Sequence, residues 1–155
     1  MSDERKIPEL RWRECAFQEL TLQELYEVLR LRTQVFVVEQ QCVFQDMDGT
    51  DQRARHLLGT DEGGLVAYAR LFAPGEYFEQ ASIGRVVTAS SSRGTGIGRQ
   101  LMTEAIRSVE HHWGAVPIRI GAQAYLQRFY ESFGFERDGN DYIEDGIPHL
   151  HMIRP

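Results

Sequence analysis

Apolar residues recur along this chain in two alternating rhythms. Leu10, Trp12 and Phe17 fall within residues 9–17 and predict a first strand. Thr21-Leu22-Gln23-Glu24 has the form of a capping box, in which hydroxyl and carboxylate satisfy free backbone N–H groups at a helix start. Behind it Leu22, Leu25, Tyr26 and Leu29 return at helical spacing, so a helix is expected over 22–35. Residues 40–55 are polar and acidic without a clear period, and read as a long loop or a short broken helix. Residues 56–60 and 65–73 read as two strands, with Asp61-Glu62-Gly63-Gly64 as the hairpin turn between them. The β-branched run Ser82–Thr88 reads as a central strand. A glycine loop then opens a helix carrying Leu101, Met102, Ala105, Ile106 and Val109, ending near His112. Residues 116–120 predict a further strand. Ala122, Leu126, Phe129, Tyr130 and Phe133 mark one face of a second helix, stopped by Gly134. Residues 142–144 and 149–153 close the chain as a hairpin around Asp145–Pro148. Elements that alternate in this way predict an α/β (α+β) domain, a mixed sheet with helices packed on it.

Composition narrows the class. The 155 residues suit one domain spanning 1–155, and 42% hydrophobic against 26% charged residues excludes a disordered chain. No apolar run approaches the ~20 residues that span a bilayer, so no membrane partner is expected. The polar, acidic start does not read as a signal peptide, and a cytoplasmic location is expected. A net charge of −6 argues against general nucleic-acid binding. Cys15 and Cys42 read as reduced thiols rather than a disulfide framework. Lys6 is the only lysine, against sixteen arginines. A Walker A loop needs Gly-Lys, which is absent, and a Schiff-base lysine would have to be Lys6 in the polar leader.

The strongest chemical signal is Arg93-Gly94-Thr95-Gly96-Ile97-Gly98, between strand and helix. Glycines let a backbone approach a ligand closely, and the free amides and dipole of the following helix favour an anion. Arg93 and Arg99 add positive charge, so the loop reads as a pyrophosphate site in an acidic protein. The alternative is a tight turn that binds nothing. A dinucleotide fingerprint fits badly: Arg99 and Leu101 stand where it needs glycine, and the loop lies past the middle of the chain.

Here the chain resembles the GNAT superfamily of N-acetyltransferases. Arg93-Gly94-Thr95-Gly96-Ile97-Gly98 is similar to its R/Q-x-x-G-x-G/A pyrophosphate loop, and the segment Ala124–Phe135 is similar to its second motif, which ends in FYxxxGF. Order and separation agree. Leu31–Gln40, Gln45–Gly49, Ile83–Val87, Gly121–Ala124 and Glu144–His149 resemble the ElaA-type branch, so the likeness runs from about Thr21 to Met152. The resemblance implies a mostly antiparallel sheet, splayed in the middle, with helices on both faces. It implies acetyl-CoA in the splay as co-substrate, with no metal. Val86, Val87 and Thr88 would pair with the pantetheine arm, and the amides of Gly94, Thr95, Gly96, Ile97, Gly98 and Arg99 would hold the pyrophosphate. Arg93, Gln123 and Phe129 would complete the cofactor set, and Tyr130 would lie near the thioester sulfur. The partners implied are acetyl-CoA and a small-molecule or peptide amine, with a homodimer left open.

Amine attack on a thioester needs an N–H donor for the oxyanion, an acceptor for the amine proton and a donor for the leaving thiolate. Tyr130 suits the last task, since a phenol titrates near or above a thiol; the alternative is a core aromatic. Relatives often carry a carboxylate on the strand equivalent to 82–88, where this chain has Ser82 and Arg85 instead. The base is then sought among Glu39, Asp46, Asp48, His56, Asp145 and His149, with Glu39 and His149 taken as the catalytic candidates beside Tyr130. Arg32 and Glu39 can equally form a structural ion pair. Asp46-x-Asp48-Gly49-x-Asp51 fails the spacing of a calcium loop and reads as an acidic pocket rim, suited to a cationic amine, or as a solvated loop. His149-x-His151 lacks a third ligand, so metal binding is not expected. His111-His112 reads as solvent-facing at a helix end, and Cys42 as an inert apolar residue. Two other functions stay open: an acyl-CoA-binding sensor without turnover, and an enzyme like the acyl-homoserine-lactone synthases, which the Arg32-x-x-Val35-Phe36-x-x-Glu39 pattern faintly resembles.

Overall fold

The computed structural model describes residues 9–155. Lys6 and most of the polar leader lie outside the described residues. Seven strands form one sheet: β1 (Arg11–Ala16), β2 (Arg55–Asp61), β3 (Gly64–Phe72), β4 (Ala81–Thr88), β5 (Ile118–Gln123), β6 (Glu136–Glu144) and β7 (Ile147–Arg154). Their order is β1-β2-β3-β4-β5-β7-β6. Every pairing is antiparallel except β4 with β5. Three α-helices accompany them: α1 (Leu22–Arg32), α2 (Ile97–Trp113) and α3 (Gln127–Glu131). Among the described residues no helix is long and apolar enough to cross a membrane.

Strand alternation sends successive side chains to opposite faces. Leu58, Tyr68 and Val87 pack with Val28, Leu31 and Val35 from α1 and its extension. Their neighbours Leu57, Ala67 and Ala69 pack instead with Leu101, Met102, Ala105 and Val109 of α2. The sheet thus carries helices on both faces. The capping box forms as expected: Thr21 Oγ1 accepts from the Glu24 N–H at 3.0 Å, and Glu24 accepts from the Thr21 N–H at 2.9 Å.

Several boundaries differ from the sequence reading. The first helix does not stop near residue 35; after Arg32 it widens into a π-helical stretch, Thr33–Glu39. Residues 40–55 hold one short 3₁₀ turn, Asp51–Arg53. The second expected helix is mostly not helix. Ala122 belongs to β5, Ala124–Leu126 form a 3₁₀ turn, and α3 keeps only residues 127–131. The apolar spacing was real, but it served a strand end and a short helix sharing one core. The closing turn is tighter than Asp145–Pro148. Asp145 and Gly146 alone make it, with φ of 50° and 76°, as the right-twisted two-residue hairpin requires. Pro148 lies inside β7.

The sheet opens at its centre. β4 and β5 pair only at Ala81↔Ile118 and Ser82↔Arg119. The register of β3 with β4 slips between Tyr68↔Val87 and Arg70↔Gly84, so β4 carries one extra residue there. Arg85 within that bulge has φ of 47°. A bulge bends and twists its strand, and this one turns β4 away from β5.

Candidate functional site

A cleft of about 820 Å³ occupies the opening. One wall is the bulged stretch Gly84–Thr88 of β4; the other is Ile120–Gln123 of β5, followed by Leu126, Phe129 and Tyr130. Past Ser82, the β4 edge turned to the gap has no strand partner. Val35, Phe36, Glu39 and Gln40 also line it, as do Glu144, Asp145, Ile147 and His149 of the last hairpin.

The glycine loop lies at the start of α2. Gly94 and Gly96 take φ of 78° and 85°, and a side chain at either position would meet open space. Their glycines therefore serve the turn and leave the backbone uncovered. Gly96 is the N-cap of α2, with no side chain capping the helix. That leaves the first amides of a seventeen-residue helix available to an anion.

The structure brings Glu39, Val86, Val87, Thr88, Arg93, Gly98, Gln123, Phe129, Tyr130 and His149 to this cleft. It places others nearby without facing them into it. Ile97 is buried in the core, the Thr95 hydroxyl donates to the Ser92 carbonyl, and Arg99 stacks on Phe133 at 4.9 Å and donates to Ser132 Oγ at 3.2 Å. Arg93 forms a two-bond pair with Glu39, one bond measuring 3.0 Å. Its hydrogen bond and charge hold the Glu39 carboxyl below its ordinary value. The alternative pairing of Glu39 with Arg32 is not formed. A second contact spans the cleft beside it, Gln123 Nε2 to Gln40 Oε1 at 3.3 Å.

Tyr130 is 6% exposed, inside an aromatic group with Phe129 and Phe135. Burial pushes its phenol well above the ordinary value. Its hydroxyl has no hydrogen-bond partner among the described residues, while its ring lines the cleft. Tyr130 is thus a core aromatic, as one of its two readings had it, that also lines the cleft.

The acidic loop is neither a free rim nor simply solvated. Arg32, fully buried, donates Nε to Asp46 and Nη1 to Asp51, both at 2.8 Å. Arg70 bridges Asp48 and Asp51, with contacts of 2.9–3.0 Å. Arg85, on β4, donates Nε to Asp46 at 2.9 Å. Burial opposes ionisation of Asp48 and Asp51, but the bonds and charge of these guanidinium groups hold both carboxyls below their usual range. Asp46, Asp48 and Asp51 are thus structural counter-charges, not free bases. His56 is buried too. Its Nε2 donates to the Asp51 carbonyl at 2.9 Å, which leaves Nδ1 to accept from Tyr68 Oη at 2.6 Å. It does not reach the cleft. His112 is not simply solvent-facing, because its Nε2 meets Glu14 at 2.6 Å. Cys15 and Cys42 are both free thiols; Cys42 lines the cleft and donates to the Asp145 carbonyl at 3.2 Å. Among the described residues no group of three or more His, Cys, Asp or Glu is placed to hold a metal ion.

The sequence reading missed Arg70 and Arg85 as partners of the acidic loop, and Phe36, Phe44 and Tyr77 as cleft walls. Arg85 had registered only as a missing acid. Phe36 lay inside a quoted motif without being read as a wall, whereas Phe44 and Tyr77 belong to no motif and could be found only by folding the chain.

Known proteins agree with this architecture. Residues 18–154 match the family model of the Acetyltransferase (GNAT) domain. The protein ElaA of Escherichia coli is 45% identical over 147 residues, covering 94% of this chain and 96% of that protein. A crystal structure of an acyl-CoA N-acyltransferase from Pseudomonas aeruginosa superposes with a TM-score of 0.91 at 44% identity, covering 95% of this chain and all of that one. The crystal structure of Escherichia coli ElaA gives a TM-score of 0.89 at 44% identity, covering 95% and 100% of the two chains. The chain belongs to the GNAT acetyltransferase family, in its ElaA-type branch.

Proposed function

We propose that this protein transfers an acetyl group from acetyl-CoA to an amine by direct attack on the thioester. The observation that carries the reading is the coincidence of three features on one cleft: an open β4 edge, an uncovered left-handed glycine loop at a helix start, and a buried tyrosine whose hydroxyl has no hydrogen-bond partner among the described residues. The open edge at Val86–Thr88 supplies backbone groups for an extended pantetheine arm and an N–H for the oxyanion. The amides of Gly94–Arg99, with Arg93, suit a pyrophosphate. Gln123 and Phe129 line the path between them. Tyr130 is the proton donor to the departing thiolate. Free CoA released from acetyl-CoA over a panel of amines, followed by thiol titration, tests the reading. Tight acetyl-CoA binding without CoA release from any amine would favour a sensor instead.

Gly96→Asp tests the loop. Aspartate is among the few residues that adopt the left-handed conformation, at a cost of about 1–2 kcal/mol, and a side chain there meets open space, so the fold should survive. Its anion would face the pyrophosphate, and the acetyl-CoA Kd should rise tenfold or more, about 1.4 kcal/mol. Unchanged affinity by calorimetry would remove the loop from the site.

Glu39 shares the cleft, but its carboxylate is held by Arg93 and would have to be released before it could accept a proton. The same pairing makes it a competitor of the pyrophosphate. Glu39→Gln should therefore tighten acetyl-CoA binding about two- to fivefold at low salt, with a smaller gain at high salt. Weaker binding in this variant would mean that the pair orders the loop rather than competing with the ligand.

A further inference from the structure

Acetyl transfer leaves one task unassigned, the removal of the amine proton, and the last hairpin carries a pair built for it. His149 Nδ1 lies 2.7 Å from the carbonyl oxygen of Ile147. A carbonyl only accepts, so the proton of the neutral ring sits on Nδ1 and the lone pair sits on Nε2. Nε2 lies 3.6 Å from Glu144 Oε2, across the turn between β6 and β7. That distance is too long for a hydrogen bond and short enough for charge attraction. Glu144 therefore leaves the Nε2 lone pair free and favours the imidazolium once it forms. The ring is held by more than its hydrogen bond. Tyr142 stacks on His149 at 5.7 Å and on His151 at 4.8 Å. His149 is mostly buried, while Glu144 is 58% exposed. Both border the cleft that Tyr130 lines. Of the other acids named for this role, Asp46 and Asp48 are held by arginines and Glu39 by Arg93, while Asp145 lines the cleft from within the tight turn itself.

We infer that His149 is the base of the proposed transfer and that Glu144 is a positioning residue that stabilises its charged form. The inference rests on the acetyl-transfer reading. As the amine nitrogen bonds to the thioester carbon, one N–H proton passes to His149 Nε2. The C–S bond breaks with its electron pair on sulfur, and Tyr130 gives the thiolate a proton. His149 has gained a proton and Tyr130 has lost one, so transfer through water restores both. The titratable groups in contact with the ring are Glu144 and, by stacking, Tyr142; His151 shares that stack.

The experiment has two arms. Imidazole ¹⁵N spectra of the full chain, with the His149 signal assigned by its loss in His149→Gln, should show a protonated Nδ1 and an unprotonated Nε2 at neutral pH. A proton on Nε2 overturns the inference whatever the enzyme does. In the second arm, His149→Gln should lower kcat about 10²–10⁴-fold with the KM for acetyl-CoA nearly unchanged. Glu144→Gln should lower kcat by about threefold to tenfold while the KM for acetyl-CoA and the thermal stability stay nearly unchanged, a split that a structural role would not give. Turnover by the native enzyme together with full activity in His149→Gln sinks the base assignment alone. Failure of the native enzyme on every amine sinks the transfer reading instead.

Discussion

Arg32→Ala should destabilise the fold by about 3–5 kcal/mol, the range for removing one partner of a buried ion pair. The guanidinium is fully buried and binds Asp46 and Asp51 at once. Its removal leaves two carboxylates in a poorly solvated place with only Arg70 and Arg85 to share. For a domain of this size, Tm should fall by on the order of ten degrees. The deficit should depend on pH. Asp51 is held below its ordinary value, so its stabilising share is present above the usual carboxylate range and is lost as pH falls through its lowered folded value. In the variant Asp51 protonates more readily, and burial then favours it neutral. The gap between native and variant should be widest above about pH 5 and narrow below about pH 4. Urea unfolding at several pH values checks both statements. A loss below about 1 kcal/mol would place Arg32 with exposed pairs and void the argument.

This network shows what was and was not legible in the sequence. Local signals read well. The capping box at Thr21, the helix repeat from Leu101 to Val109 and the turns at Asp61–Gly64 and Asp145-Gly146 depend on near neighbours and formed in place. The mostly antiparallel sheet with its splayed centre came from the family resemblance, and the order of strands was not read at all, because pairings such as Tyr68↔Val87 leave no local trace. The acidic loop was misread for the same reason. Asp46 meets arginines fourteen and thirty-nine residues away, so its spacing resembled a ligand loop or rim while its partners were scattered over α1 and β4.

A subtler limit concerns the second motif. Phe129, Tyr130 and Phe133 recur as a helix face, yet α3 spans only five residues. Periodicity reports which residues turn inward, and an inward turn can be made by a strand end, a 3₁₀ turn and one helical turn in succession. The cleft residues were found because motif and core coincide there. Glu144 came with the closing hairpin, whereas Phe44 and Tyr77 lie in segments without period and gained their place only when β4 bent away from β5.

Tyr130→Phe is expected to lower kcat about 10²–10⁴-fold, equivalent to about 3–5 kcal/mol of transition-state stabilisation. The substitution removes one oxygen and little else. No described residue depends on that hydroxyl, so its loss strands no buried donor or acceptor. The ring keeps its place at 5.2 Å from Phe129 and 6.0 Å from Phe135. Stability should therefore move by less than about 1 kcal/mol, and acetyl-CoA affinity by less than about twofold. Burial raises the phenol well above its ordinary value, which keeps it protonated through any practical assay range. The same desolvation makes a thiolate departing beside it a stronger base, so the proton moves toward sulfur only as the C–S bond breaks. Among the described residues the hydroxyl has no competing partner. With an amine that the native enzyme acetylates, equal kcat in Tyr130→Phe would take the residue out of the chemistry and leave the thiolate to be protonated by water. A fall confined to affinity would make Tyr130 a wall of the cofactor path rather than its acid.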